Sequence, residues 1–142
     1  MILFIELYTD YLVPSQAHSR VAITSIFYLS NSTDGRHPLN GAIQVISKNL
    51  QNVVSSAAEA ETGGIFISGQ QAVPIITPLS ELNHQQPASG TRVSTNNSTA
   101  KGVLTANLRQ KLSKASDMPY WCIKDIIKQR QFKLVWEPGK EN

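Results

Sequence analysis

The chain has 142 residues, of which 41% are hydrophobic and 16% are charged, a composition that suits one globular domain and excludes a disordered or fibrous chain. Its single cysteine, Cys122, excludes an internal disulfide and a cysteine-rich zinc site, and we expect the thiol to pack as a small apolar group. The net charge of +3 is uneven, because residues 1–100 carry four Lys and Arg against six Asp and Glu, whereas residues 101–142 carry nine against four.

Three strands are predicted in the first third of the chain. Residues 2–8 are almost continuously apolar and too few for a typical helix, which indicates a central strand covered on both faces. Residues 21–29 are rich in β-branched and aromatic side chains, and residues 41–46 resume as a strand after a turn-forming stretch. Three successive strands joined by loops favour an antiparallel meander.

A helix is predicted to follow Ser56, whose side chain can cap it while Glu59, three residues later, returns a bond to the amide of the cap. Three glycines within residues 63–69 each weaken a helix interior by about 1 kcal/mol relative to alanine. Prolines at positions 74 and 78 then predict a kink or an early end of this helix.

The last third of the chain predicts two strands and two helices after a polar linker over residues 81–90. A short strand covers residues 92–95, and a brief helical stretch covers residues 98–104. Ser116 is predicted to cap a second main helix that ends near Gln129, and an alternating strand closes the series. The apolar stripe of that helix contains Tyr120, Trp121, Cys122, Ile123 and Ile127, and we expect both aromatic rings to pack in the core.

The order is β-β-β-α-β-α-β, which predicts a five-stranded mixed sheet with flanking helices in one domain over residues 1–142. Glu6 and Asp10 interrupt the apolar start and no basic segment precedes it, so no signal peptide is predicted. No apolar run reaches the roughly 20 residues that span a bilayer. We therefore expect an intracellular protein of the cytoplasm or nucleus that has no membrane partner.

Four separate stretches carry family information through their order and spacing: Asn40-Gly41-Ala42-Ile43, Ala57-Ala58-Glu59-Ala60-Glu61, Thr95-Asn96-Asn97-Ser98-Thr99-Ala100 and Pro138-Gly139-Lys140-Glu141-Asn142. Together they resemble the ribonuclease H domain of the polyprotein of a copia-type LTR retrotransposon. The resemblance covers essentially the whole chain and implies the α/β ribonuclease H-like fold.

The resemblance implies hydrolysis of the RNA strand of an RNA–DNA hybrid by clustered carboxylates that hold two Mg²⁺ or Mn²⁺ ions about 4 Å apart. Glu61 matches the helix-borne glutamate of that cluster and is a predicted metal ligand, the alternative being an exposed first-turn glutamate favoured by the helix dipole. Glu59 is predicted to be a cap rather than a ligand.

The first aspartate of the family is ambiguous in this chain. An alignment without gaps places it on Tyr8, whereas a two-residue deletion before Tyr11 places it on Asp10, which would then be a catalytic and metal-binding residue. Positions 8 and 10 share one face of a strand, so the choice stays open.

Asn96 stands where the resemblance implies a metal-bridging aspartate, and an amide offers a neutral oxygen without the negative charge that holds a divalent ion. The alternative for Asn96 is local capping of the helix that follows. The last carboxylate of the family lies beyond the Glu-Asn that ends this sequence. We therefore expect a catalytically impaired domain that needs no cofactor unless it is active.

The basic final third suits a face that binds a polyanion, the alternative being a solvated helix face. The predicted partner is an RNA–DNA hybrid or another nucleic acid, together with the reverse transcriptase portion of the polyprotein. The alternative function is a non-catalytic nucleic-acid-binding or structural remnant of that polyprotein. The predicted phosphate contacts are Lys111, Lys114, Lys124, Lys128, Arg130 and Lys133.

Overall fold

The structure is a computed structural model and describes residues 2–12, 20–30, 41–50, 56–105 and 114–138. Five strands and three helices follow one another in this part of the chain, and the predicted series of elements is confirmed with the brief helix included. The elements are β1 (Ile2–Leu12), β2 (Arg20–Ser30), β3 (Gln44–Asn49), α1 (Ala57–Glu81), β4 (Thr91–Thr95), α2 (Ser98–Thr105), α3 (Lys114–Lys128) and β5 (Phe132–Trp136).

The five strands form one mixed sheet in the order β3-β2-β1-β4-β5. β1, β2 and β3 pair antiparallel as the predicted meander, whereas β4 lies parallel to β1 and β5 lies parallel to β4. Parallel neighbours need a crossover connection, and α1 supplies the first while α2 and α3 supply the second. The carboxyl ends of β1, β4 and β5 therefore point to the same edge of the sheet.

The core lies between this sheet and α1, with α3 packed beside α1. Leu3, Ile5 and Leu7 alternate along β1 and are buried, as is Phe4 between them, which confirms the predicted central strand. Among the described residues, none of the helices combines the length and apolar composition that crossing a membrane requires.

Two glycines of α1 pack against the sheet. A Cβ atom at Gly64 would lie 3.1 Å from Leu7 Cδ1 and 3.2 Å from Ile23 Cγ2, and one at Gly69 would lie 2.9 Å from Phe132 Cε2. The missing side chains let the helix backbone approach the sheet closely, so the helical cost of each glycine is offset by packing.

Of the two outcomes predicted at the prolines of α1, the early end is wrong, because the helix runs 25 residues to Glu81, while the kink stays a prediction. Pro74 and Pro78 are exposed, as is Gln70, whose carbonyl loses its usual helical partner at Pro74. Water can satisfy carbonyls on that side of the helix, while Ala72 and Leu79 on the other side are buried. The predicted start is confirmed, since the Ser56 side chain accepts a bond from the Glu59 amide at 3.2 Å.

Three predictions for α3 are wrong. The helix begins at Lys114, so Ser116 lies inside it and is not its cap, because Lys and Ala before Ser116 are good helix formers. Trp121 is 62% exposed and Cys122 is also exposed, whereas Tyr120 packs in the core as expected. Positions 120, 123 and 127 share one helical face, and the two residues after Tyr120 turn away from it by about 100° each.

Candidate functional site

Glu61 lies in the second turn of α1 and is fully buried, with 0% of its surface exposed. The Thr95 hydroxyl, itself buried, donates a hydrogen bond to Glu61 Oε1. The alternative prediction of an exposed glutamate is wrong, because residues 58–62, which make more than one full turn of α1, are all buried. A buried carboxylate requires hydrogen-bond partners, and Thr95 at the end of β4 is one of them.

Thr95 also organises the chain beyond β4. Its hydroxyl accepts a bond from the Asn97 amide at 3.1 Å, and the Asn97 carbonyl accepts from the Lys101 amide at 3.2 Å. Asn97 therefore occupies the cap position of α2 that the sequence suggested for Asn96. One hydroxyl thus joins the carboxylate on α1 to the start of α2.

Asn96 is exposed and follows Thr95 directly. The Trp136 indole donates from Nε1 to the Asn96 carbonyl at 3.1 Å, and the Glu137 amide donates to the Thr95 carbonyl at 3.0 Å. The end of β5 thereby holds both residues in place. Sequence analysis named Thr95 only as the first residue of the stretch that contains Asn96 and gave neither Thr95 nor Trp136 a role in the site. A further signal for both residues was their place at the ends of predicted strands.

The strand register bears on the choice between Tyr8 and Asp10. Leu7 pairs with Thr95, so one residue further along both chains Tyr8 comes level with Asn96. Asp10 lies two residues beyond that level, at a distance of about 7 Å along the strand. The register favours Tyr8 as the backbone position beside Asn96, while the side chains of both residues lie outside the described set.

The described residues do not fit a two-metal centre. Within the described ranges, no three side chains of His, Cys, Asp or Glu lie together as a metal-ligand set would require. Glu61 contributes one carboxylate that already accepts from Thr95, and the residue after Thr95 is an amide. Divalent ions of this class need several anionic oxygens, which this arrangement does not supply.

The predicted phosphate contacts are residues outside the described set, exposed residues near the end of α3 and on β5, and Lys124. Lys111 lies outside the described residues, and Lys114 begins α3 with a side chain that is also outside them. Lys128, Arg130 and Lys133 are exposed near the end of α3 and on β5.

Lys124 belongs to an aromatic cluster on α3. Its Nζ donates to the Tyr120 hydroxyl at 3.1 Å and lies 5.4 Å from the centroid of that ring and 5.8 Å from the centroid of Trp121. The two rings meet edge to face with centroids 5.1 Å apart. An exposed indole beside a cation is suited to contact a sugar or base while the cation contacts a phosphate.

Comparisons with known proteins identify the fold. No protein-family model matches the sequence, and no curated protein matches it either. The N-terminal RNase H domain of a Mycobacterium tuberculosis protein, solved as a fusion with maltose-binding protein, superposes with a TM-score of 0.60 at 11% identity, covering 99% of this chain and 86% of that one.

Two further structures agree. LC11 ribonuclease H1 in complex with an RNA/DNA hybrid gives a TM-score of 0.56 at 14% identity, covering 97% of this chain and 88% of that one. The prototype foamy virus protease-reverse transcriptase gives 0.58 at 10% identity, and the match covers 97% of this chain but 17% of the viral protein. At these identities the likeness concerns architecture alone. The chain has a ribonuclease H-like fold.

Proposed function

We propose that this chain is the ribonuclease H-like domain of a copia-type retroelement polyprotein, which binds RNA–DNA hybrids and is impaired in cleaving them. One observation carries the proposal: in a ribonuclease H-like fold, a fully buried glutamate on α1 is held by Thr95 at the end of β4, directly before an asparagine. The glutamate position is kept, while the residue that follows β4 is an uncharged amide.

The small number of carboxylates at the site supports the proposal that cleavage is impaired. Clustered carboxylates place two metal ions around a scissile phosphate, and each lost negative charge weakens that placement. An asparagine at position 96 and a tyrosine level with it on β1 would remove two such charges, at a cost of several kcal/mol of transition-state stabilisation. Magnesium or manganese would bind weakly to what remains.

The basic final third supports binding. Its exposed cations would contact phosphates, and the exposed Trp121 ring beside Lys124 would lie against a sugar or base. One structural neighbour was solved with an RNA/DNA hybrid bound, which agrees with this proposal. A domain of this kind recognises the shape of the hybrid rather than its base sequence. The partial coverage of the foamy virus protein agrees with a role as one domain of a larger polyprotein.

The test is cleavage of an end-labelled RNA–DNA hybrid with Mg²⁺ and then Mn²⁺, with Glu61→Gln in parallel and retention of intact hybrid scored on the same gel. We expect no cleavage and salt-sensitive retention by both proteins. Cleavage that disappears in Glu61→Gln would show an active metal site and contradict impairment. Neither cleavage nor retention by a folded sample would favour the alternative of a structural remnant.

A further inference from the structure

A cleft of about 440 Å³ opens where the end of α3 meets the start of β5. Ile127, Phe132 and Leu134 form its apolar lining, and Ser89 and Thr105 add hydroxyl groups. Pockets that hold small ligands typically have volumes of roughly 300 to 1,000 Å³ and combine an apolar lining with a few polar groups. The cleft has the size and surface for a compact ring.

The charged residues that line the cleft are both basic. Arg130 and Lys133 line the cleft and are exposed, and its described lining contains no acidic residue. Neither cation forms an ion pair with a described carboxylate, unlike Arg92, which pairs with Glu137. The ligand that complements this lining carries an anionic group next to a ring.

Arg130 occupies a backbone position that normally favours glycine, with φ of 59°. Its amide donates to the Ile127 carbonyl and the Gln131 amide donates to the Ile126 carbonyl, both at 3.0 Å, which is the usual backbone closure of a helix end. The carbonyls of Ile126 and Ile127 are therefore satisfied without the guanidinium. Within the part of the chain that the structure describes, no carboxylate pairs with the Arg130 guanidinium, so the side chain can serve a ligand.

We propose that this cleft binds a nucleotide, with the phosphate on Arg130 and the base and sugar over the apolar lining. The guanidinium offers paired donors that match phosphate oxygens, and the serine and threonine hydroxyls can bond to the ring or the sugar. The ligand is either a free nucleotide or the phosphorylated end of a nucleic-acid strand, since both present the same chemistry.

This site is separate from the one built on Glu61. Residues 88–89 and Arg130 precede β4 and β5, whereas Glu61 contacts the far end of β4. The length of β4 alone separates the two by about 13 Å. The inference goes beyond the proposed function, and a titration that needs no hybrid and no metal distinguishes its failure from that of the proposal.

The experiment is an NMR titration of the full isotope-labelled chain with AMP, with a 5′-phosphorylated tetranucleotide and with the same tetranucleotide lacking that phosphate. We expect amide signals of residues 88–89, 105, 127 and 130–134 to shift, while those of Glu61 and Thr95 stay in place. Equal shifts with AMP and the phosphorylated strand support a nucleotide site. Shifts with the phosphorylated strand alone support a strand-end site.

Arg130→Gly is the decisive variant, because glycine suits the backbone there and the thermal midpoint should stay equal or rise. We expect its affinity for the phosphorylated ligands to fall about tenfold, as the loss of a charge-assisted phosphate contact predicts. Lys48→Ala is the control, since it removes an exposed cation from β3, at the opposite edge of the sheet from β5 and outside the cleft, and affinity should change less than about twofold.

Three results would overturn the proposal. The first is the absence of shifts with both phosphorylated ligands. The second is an Arg130→Gly protein that binds as tightly as the original or loses no more affinity than Lys48→Ala. The third is equal affinity for the two tetranucleotides without binding of AMP, which would reduce the cleft to general contact with a phosphate backbone.

Discussion

The two regions that bear on function are built in opposite ways. Around Glu61, side chains and backbone form hydrogen bonds that join α1, β4, α2 and β5, with the Glu61 carboxylate and the Thr95 hydroxyl buried at their centre. Around α3, the functional candidates are exposed side chains on an amphipathic helix whose other face is in the core. The first region should respond to mutation mainly through stability, and the second mainly through binding.

Thr95→Val should give the largest effect. The substitution keeps the shape of the side chain but leaves Glu61 without its hydroxyl donor and Asn97 without its acceptor, so we expect a loss of about 2 to 3 kcal/mol in the free energy of unfolding. Urea denaturation measures it, with Thr95→Ser as the control that keeps the hydroxyl. A valine variant as stable as the serine variant would mean that the buried network contributes little.

Gly64→Val tests the close approach of α1 to the sheet. The new side chain would meet Leu7 and Ile23 where a Cβ atom alone comes within 3.1 Å and 3.2 Å, so we expect a loss of about 2 kcal/mol. Gly63→Ala is the control, because its Cβ would come no closer than 3.4 Å to Leu50 and should add up to about 1 kcal/mol through helix propensity. Thermal unfolding compares the two variants. If both substitutions changed the stability in the same direction, the packing argument would be contradicted.

Trp121→Ala should separate the two regions. The indole is 62% exposed, so we expect stability to change by less than about 0.5 kcal/mol. Hybrid affinity, measured by fluorescence anisotropy, should fall about fivefold if the ring lies against the nucleic acid, which corresponds to about 1 kcal/mol. Met118→Ala, equally exposed one turn earlier on α3, should leave affinity unchanged. A similar loss in both variants would point to a general disturbance of α3.

Lys128→Gln should give the smallest effect, visible in the salt dependence of binding. Removing one phosphate contact should reduce the slope of log affinity against log salt by about 0.9. Lys48→Gln removes an exposed cation from the edge strand β3 and serves as the control with an unchanged slope. Identical slopes for both variants would remove Lys128 from the binding surface.

The sequence anticipated the fold for physical reasons that act locally. Apolar runs with β-branched residues specified the strands, and Ser56 specified the start of α1 through a bond to the Glu59 amide that the structure contains. Strand limits were less accurate, since β3 was expected over residues 41–46 and covers Gln44–Asn49. Pairing with β2, rather than composition, decides where that strand lies.

The prolines and glycines of α1 show where local propensity fails. Each costs helical stability by itself, yet the helix continues because its prolines face water and Gly64 and Gly69 lie against the sheet. The glycines that suggested a weak helix are therefore part of its packing. Whether the low helix propensity of a proline or glycine ends a helix depends on the residues and solvent that surround it in the folded structure.

For the candidate site, the sequence by itself determined the chemical groups: a glutamate on a helix, an asparagine after a strand and a basic final third. The tertiary structure decided that Glu61 is buried, that the Thr95 hydroxyl donates a hydrogen bond to it and that the Trp136 indole donates one to the Asn96 carbonyl. It also decided that Trp121 faces solvent while Tyr120 does not. These contacts join residues 34 and 40 positions apart in the sequence, and they are set by how the elements pack, because no local pattern encodes them.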